Sequence, residues 1–155
     1  LVKEKGPLLG PLWFLYAVAK NKGVLLQKII TRLNRFLLPA IAWFILCTFL
    51  LTLPGNSFPQ QSWTDYIPQF DKWVHIGLFS IMCVLFCWGF YKAGKFPLKK
   101  FFLYSLLFCV VYGIVMEFVQ RNFIPNRSFD TGDIIADTIG AAIGYWFALK
   151  RYKKN

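Results

Sequence analysis

Apolar residues gather in four stretches of this chain, and charge is concentrated between them. Residues 36–53 carry no ionisable acid or base. Residues 73–91 carry only His75, residues 101–119 only Glu117, and residues 134–149 only Asp137. A helix needs about 20 apolar residues to cross the hydrocarbon core of a bilayer, with a workable range of about 17–25. The first three stretches meet that length, and the fourth completes it with Asp133 and Lys150 at its ends. The pattern predicts an all-α polytopic membrane protein with four transmembrane helices. Pro39 is expected in the first turn of the first span, where a missing N–H costs little. Trp73, Tyr91, Tyr104, Tyr145, Trp146 and Tyr152 are candidate interfacial anchors.

Composition strengthens this picture. Of 155 residues, 57% are hydrophobic and 16% charged, and the net charge is +11. A domain of this size has too little interior to hide so much apolar surface from water. A disordered tail is excluded, and a soluble enzyme is disfavoured. No nucleic-acid partner is expected, because the basic residues sit between apolar runs and not along one face. Their distribution sets an orientation. Residues 1–35, 92–100 and 150–155 carry net charges of +6, +4 and +4, whereas 54–72 carries −1 and 120–133 carries zero. Lys and Arg favour the cytoplasmic side. Both termini and the middle loop are therefore expected inside, in a bacterial cytoplasmic (inner) membrane, with membrane lipids as the surrounding partners.

Residues 1–35 are read as a basic leader, 36–149 as the membrane domain and 150–155 as a basic tail. Pro7–Ala19, preceded by Lys3 and Lys5, is similar to a signal peptide. Cleavage there would carry Lys20, Lys22, Lys28, Arg32 and Arg35 outward, against the charge bias. Leu25, Leu26, Ile29, Ile30 and Leu33 instead recur at helical spacing opposite Lys28, Arg32 and Arg35, as in a helix lying on an anionic leaflet. Cys47, Cys83, Cys87 and Cys109 all fall within spans and are expected to pack as small hydrophobes.

The polar residues of the spans gather toward one side. Asp71, Lys72 and His75 enter the second span, Glu117 and Gln120 leave the third, and Arg127, Asp130, Asp133 and Asp137 lead into the fourth. All would lie at the external face. Asp71 and His75 are four apart and share a helix face, as do Glu117 and Gln120 at three apart, with Gly113 one turn deeper. Asp133, Asp137, Gly140 and Gly144 form one stripe, and the Gly-x-x-x-Gly pair predicts close helix packing. Each residue has a plain alternative. Asp71 and Asp133 are candidate helix N-caps, Lys72 could pair with Asp71, and Arg127 could neutralise Asp130 or Asp133. The convergence of all of them from three helices favours a functional site, with its groups near water. A mixed His/carboxylate metal site is weighed and not adopted, since the chain has a single His. No cofactor is expected.

The sequence Asp71-Lys72-x-x-His75, then Glu117-x-x-Gln120, then Arg127 with Asp133, Asp137 and Gly140-x-x-x-Gly144 resembles the VanZ-like family of small bacterial membrane proteins. The resemblance covers about residues 36–149. It departs at Asp137, where the family more often has Asn. It implies an envelope role and, by analogy with the founding member, an effect on susceptibility to the glycopeptide teicoplanin. Three functions remain open. One is an enzyme acting on a lipid or lipid-linked substrate, with His75 as acid or base held by Asp71, Glu117 as a second proton-transfer group, and Lys72 and Arg127 gripping a phosphate or carboxylate. A second is a non-catalytic binder of an anionic cell-wall precursor, lipid or glycopeptide, in which Gln120, Asp130, Asp133 and Asp137 also take part. The third is a small transporter, disfavoured because no ionisable chain continues to the cytoplasmic side.

Overall fold

The computed structural model describes residues 10–54, 68–94 and 97–152. They form four helices, α1 Gly10–Leu51, α2 Phe70–Ala93, α3 Leu98–Phe123 and α4 Thr131–Tyr152, with no strand among the described residues. The all-α expectation holds. Two helices, α2 and α3, are long and apolar enough to cross a membrane, and the Arg35–Leu51 part of α1 is apolar but shorter. Each helix from α2 to α4 outgrows its apolar stretch at both ends. The added turns hold charges that suit a helix terminus, with Asp71 and Asp133 in first turns and Lys92, Arg121, Lys150 and Arg151 in last turns.

The leader and the first apolar stretch are not separate elements. The α1 helix passes through residues 35 and 36 without interruption for 42 residues, about 63 Å at 1.5 Å per residue. Pro39 therefore lies deep inside α1 and not in a first turn. Residues 24–35 are rich in Leu, Lys, Gln and Arg, good helix formers that carry the helix up to the proline. Pro11, by contrast, does fall in the first turn. The side chains of Leu25, Leu26, Ile29 and Leu33, which make up most of the expected apolar stripe, lie outside the described residues, as do most of the first loop (55–67) and the tail beyond Tyr152.

The α2–α4 pair is the most extensive contact, with α1 packed on α2, and α3 on α4 and less closely on α2. Glycine makes the central contact possible. A Cβ on Gly140 would strike the Ile76 carbonyl, and one on Gly144 would lie 2.5 Å from the Ser80 carbonyl oxygen and 2.9 Å from Cys83 Cβ. The Gly-x-x-x-Gly expectation is met by a backbone-to-backbone seam, which the Ser80 hydroxyl closes by donating to the Gly140 carbonyl at 2.8 Å. Gly89 serves α1 in the same way, since a Cβ there would lie 2.6 Å from Leu37 Cδ2. The Trp43 indole N–H also ties α1 to α2, donating to the Leu78 carbonyl at 3.0 Å. Phe79, Met82 and Phe102 fill the core, together with the four free thiols Cys47, Cys83, Cys87 and Cys109. Tyr112 stacks on Phe79, and its hydroxyl shares a hydrogen bond with Thr48 at 2.8 Å. Among the candidate anchors, Trp73, Tyr104 and Trp146 are exposed, whereas Tyr91 and Tyr152 stack on each other at 4.9 Å.

Glycines on and off this seam should therefore behave oppositely. Gly140→Leu and Gly144→Leu should each lower stability by at least the ~1–3 kcal/mol typical of overpacking, because the obstacle is largely backbone that cannot rotate away. Gly77→Ala, where an added Cβ meets nothing within 4 Å, should be neutral or gain up to about 1 kcal/mol of helix propensity. Thermal unfolding of the purified variants checks both, and a tolerated Gly140→Leu would disprove the seam.

Candidate functional site

The first two turns of α2, the last two turns of α3 and the first two turns of α4 meet at one end of the bundle. The seam brings α2 and α4 close enough for the side chains of His75, next to Ile76, and Asp137, three residues before Gly140, to touch. His75 Nδ1 lies 2.9 Å from Asp137 Oδ1, and both residues are buried. Gly113 of α3 leaves the space that the acid occupies, since a Cβ there would lie 2.6 Å from Asp137 Oδ2. His75 Nε2 faces Asp133 Oδ2 at 3.9 Å, beyond hydrogen-bond reach.

One turn toward the helix ends, the Lys72 ammonium stands among three carboxylates. It donates to Asp133 Oδ1 at 2.7 Å, to Asp71 Oδ2 at 3.2 Å, and to Asp130 Oδ2. Gly132 allows this approach, because a Cβ there would lie 2.6 Å from Lys72 Cε. Asp130 is the N-cap of α4, its Oδ1 accepting the Gly132 N–H at 2.7 Å. The backbone N–H of Asp130 in turn donates to Glu117 Oε2 at 2.9 Å, so the buried Glu117 fixes the point at which α4 begins. Gln120 turns the other way and donates to the Leu51 carbonyl at 2.8 Å, capping α1. Arg127 is half-buried in the segment between α3 and α4.

Several expectations need correction. Asp71 does not hold His75. Its side chain is 59% exposed beside Lys72, and Asp137, reaching across the seam, takes the imidazole. Asp133 is not the α4 cap, since that role falls to Asp130, three residues earlier. The signal was present in Asp130-Thr-Gly-Asp133, an acid three residues ahead of a first-turn acid, close to a capping box. Nor do the central groups sit near water, for Glu117 and Gln120 are 1% exposed and Asp137 2%. Lys72, expected to grip an anion, is already surrounded by acids. The Asp71, Asp130 and Asp133 oxygens lie within 4.8 Å of one another, an all-oxygen set of the kind hard cations take, but each of these acids already pairs with the Lys72 ammonium. Ser80 was not singled out by its sequence context, and only the close approach of Gly140 explains its position.

An all-helical bundle with a buried acid–histidine–lysine network at one end of two membrane-length helices defines the class of protein. Residues 36–151 match the VanZ/LLP1 family model, and the chain belongs to the VanZ-like family. A similar protein, Uncharacterized protein C11E3.10 of Schizosaccharomyces pombe, is 26% identical over 117 residues, covering 75% of this chain and 69% of the yeast protein. No solved structure matches the chain.

Removing the cation should expose its role. Lys72→Met leaves the buried Asp133 without its ammonium and should cost about 1–3 kcal/mol, as for other unsatisfied buried groups. Asp130→Ala should cost about 1 kcal/mol as a lost N-cap. Differential unfolding of the two variants checks this, and equal stability of Lys72→Met and wild type would sink it.

The Lys72 ammonium and the Gly132 N–H hold the Asp130 carboxyl below its usual range. A group depressed on folding stabilises the native state above its unfolded pKa and loses that contribution as pH falls through its lowered folded value. Asp130→Asn keeps a capping side chain but has no proton to take up. Its stability should fall less than that of wild type below about pH 4, which pH-dependent melting will measure.

Proposed function

We propose that this protein is a multi-pass envelope membrane protein whose buried polar cluster binds and acts on the head group of a lipid or lipid-linked molecule at the extracytoplasmic face. The observation that carries this reading is the cluster itself. Asp71, Asp130, Asp133, Asp137 and Glu117 converge with Lys72 and His75 at one end of an apolar bundle. Ionisable groups inside membrane helices are costly, and they ordinarily mark ligand or proton sites. The opposite end carries Lys92, Lys99, Lys100, Lys150 and Arg151, which supports four spans with both termini and the α2–α3 loop in the cytoplasm of a bacterial cell.

Surroundings and charge refine the ligand class. Trp73 and Phe123 are exposed large apolar groups at the same end as the cluster, which suits an amphiphile with its chain in the bilayer. Carboxylates outnumber the cations bonded to them, so a head group presenting N–H or O–H donors fits better than a bare anion. Altered teicoplanin susceptibility is then a consequence of this envelope role in bacteria. The non-catalytic binder rests on the same residues and differs only in lacking turnover.

Two measurements test the proposal. Glu117→Gln keeps an acceptor for the Asp130 N–H and should fold, yet lose the envelope phenotype of the wild-type protein, read as teicoplanin susceptibility and lipid composition of expressing cells. A stable, fully active Glu117→Gln would remove Glu117 from the site. His75→Ala, which strands the buried Asp137, should in contrast lose stability as well as phenotype. For topology, reporters fused at Gly94 and at the C-terminus should be active only as cytoplasmic reporters, and a periplasmic signal at Gly94 would overturn the orientation.

A further inference from the structure

We propose that Asp137 is the positioning residue for His75, fixing its ring so that Nε2 is the nitrogen through which the site exchanges protons with a bound molecule. This rests on the reading of the cluster as a ligand site. Asp137 is taken as the ionised partner of the ring; an ionised carboxylate only accepts hydrogen bonds, and the 2.9 Å contact between Asp137 Oδ1 and His75 Nδ1 then puts a proton on Nδ1. Both partners are buried, and Gly113 leaves the carboxylate its place beside α3. The ring is thus held from its inner side. Its outer nitrogen, Nε2, faces Asp133 Oδ2 across 3.9 Å, and Asp133 continues through Lys72 to the exposed Asp71.

That gap has a use. A single donor atom placed beside the pair can lie within hydrogen-bond distance of both Nε2 and Asp133 Oδ2, the geometry expected of a proton-transfer site. A hydroxyl or ammonium of the bound head group gives its proton to Nε2, whose lone pair forms the new N–H bond as the donor's bond to hydrogen breaks. The ring becomes imidazolium between the Asp137 and Asp133 carboxylates, and Asp137 keeps its hydrogen bond throughout. The proton returns to the product, or leaves by way of Asp133 toward the exposed end. Asp137 never touches the ligand, and its part is to select the nitrogen and balance the charge.

The chain contains one histidine, so ring signals can be assigned without ambiguity. The full chain, labelled with 15N-histidine and held in lipid nanodiscs, is transferred to D2O and exchange at each ring nitrogen is followed by NMR. In wild type, the Nδ1 proton should exchange at least tenfold more slowly than the Nε2 proton that the imidazolium carries on acidification. Asp137→Asn, which retains an acceptor oxygen, should keep that order, and Asp137→Ala should abolish the difference. Thermal melting of each variant accompanies the spectra, and if Asp137→Ala fails to fold the wild-type and Asp137→Asn spectra decide. Equal exchange at both nitrogens in wild type, or an Nδ1 as protected in Asp137→Ala as in wild type, overturns the proposal. The spectra do not depend on any envelope phenotype, so failure of the positioning role is distinguishable from failure of the functional reading.

Discussion

The close approach of α2 and α4 is the constraint on which the rest depends. Gly140 and Gly144 remove the side chains that would hold the two backbones apart, and Ile76 and Ser80 present carbonyls to the vacated surface. Helices in lipid gain no hydrophobic advantage from meeting one another, so such contacts rest on packing and interhelical hydrogen bonds. The Ser80 hydroxyl supplies one of those bonds on the seam. Only at this separation can an imidazole on α2 reach a carboxylate on α4. The site is a product of the packing, one turn beyond it on the same faces.

The cluster is ordered in layers of increasing exposure. Asp137 and His75 are innermost, Asp133 and Lys72 lie between, and Asp71 opens to the surroundings. Glu117 stands to one side and holds backbone, not a cation. This division separates two tasks that composition alone merges. Lys72 and Asp130 fix where α4 starts, His75, Asp137 and the nearer oxygen of Asp133 form the portion suited to chemistry, and Glu117 serves both. Gln120 belongs to neither, since it closes the end of α1.

Much of this was legible in the sequence because it depends on period and spacing. The apolar runs marked all three helices of the α2–α4 core, the Gly140/Gly144 stripe marked its seam, and the polar residues were recognised as a group. Partner choice was not legible. Helical spacing pairs Asp71 with His75 as readily as any contact across helices, and only the depth of the α2–α4 crossing selects Asp137. Likewise, the first charge after an apolar run is a poor marker of a helix end, because Lys92, Arg121 and Lys150 are all helical. Pro39 misled for a related reason, since a proline reads as a start signal until the good helix formers before it are weighed.

The hydrogen bond from the Asp130 N–H to Glu117 has a consequence for how the chain can vary in length. It joins a residue in the last two turns of α3 to the cap of α4, thirteen positions later, and the same Asp130 also holds Lys72 of α2. The α3–α4 connection is thereby measured out at both ends, so an insertion or deletion between Ile124 and Phe129 would dislodge the cap, the lysine and the start of α4 together. The α2–α3 connection, beginning at Gly94 with its left-handed φ of 68°, has no such tie among its described residues. Tags and length changes belong at that turn, and the segment beside the site is the one whose length the fold holds fixed.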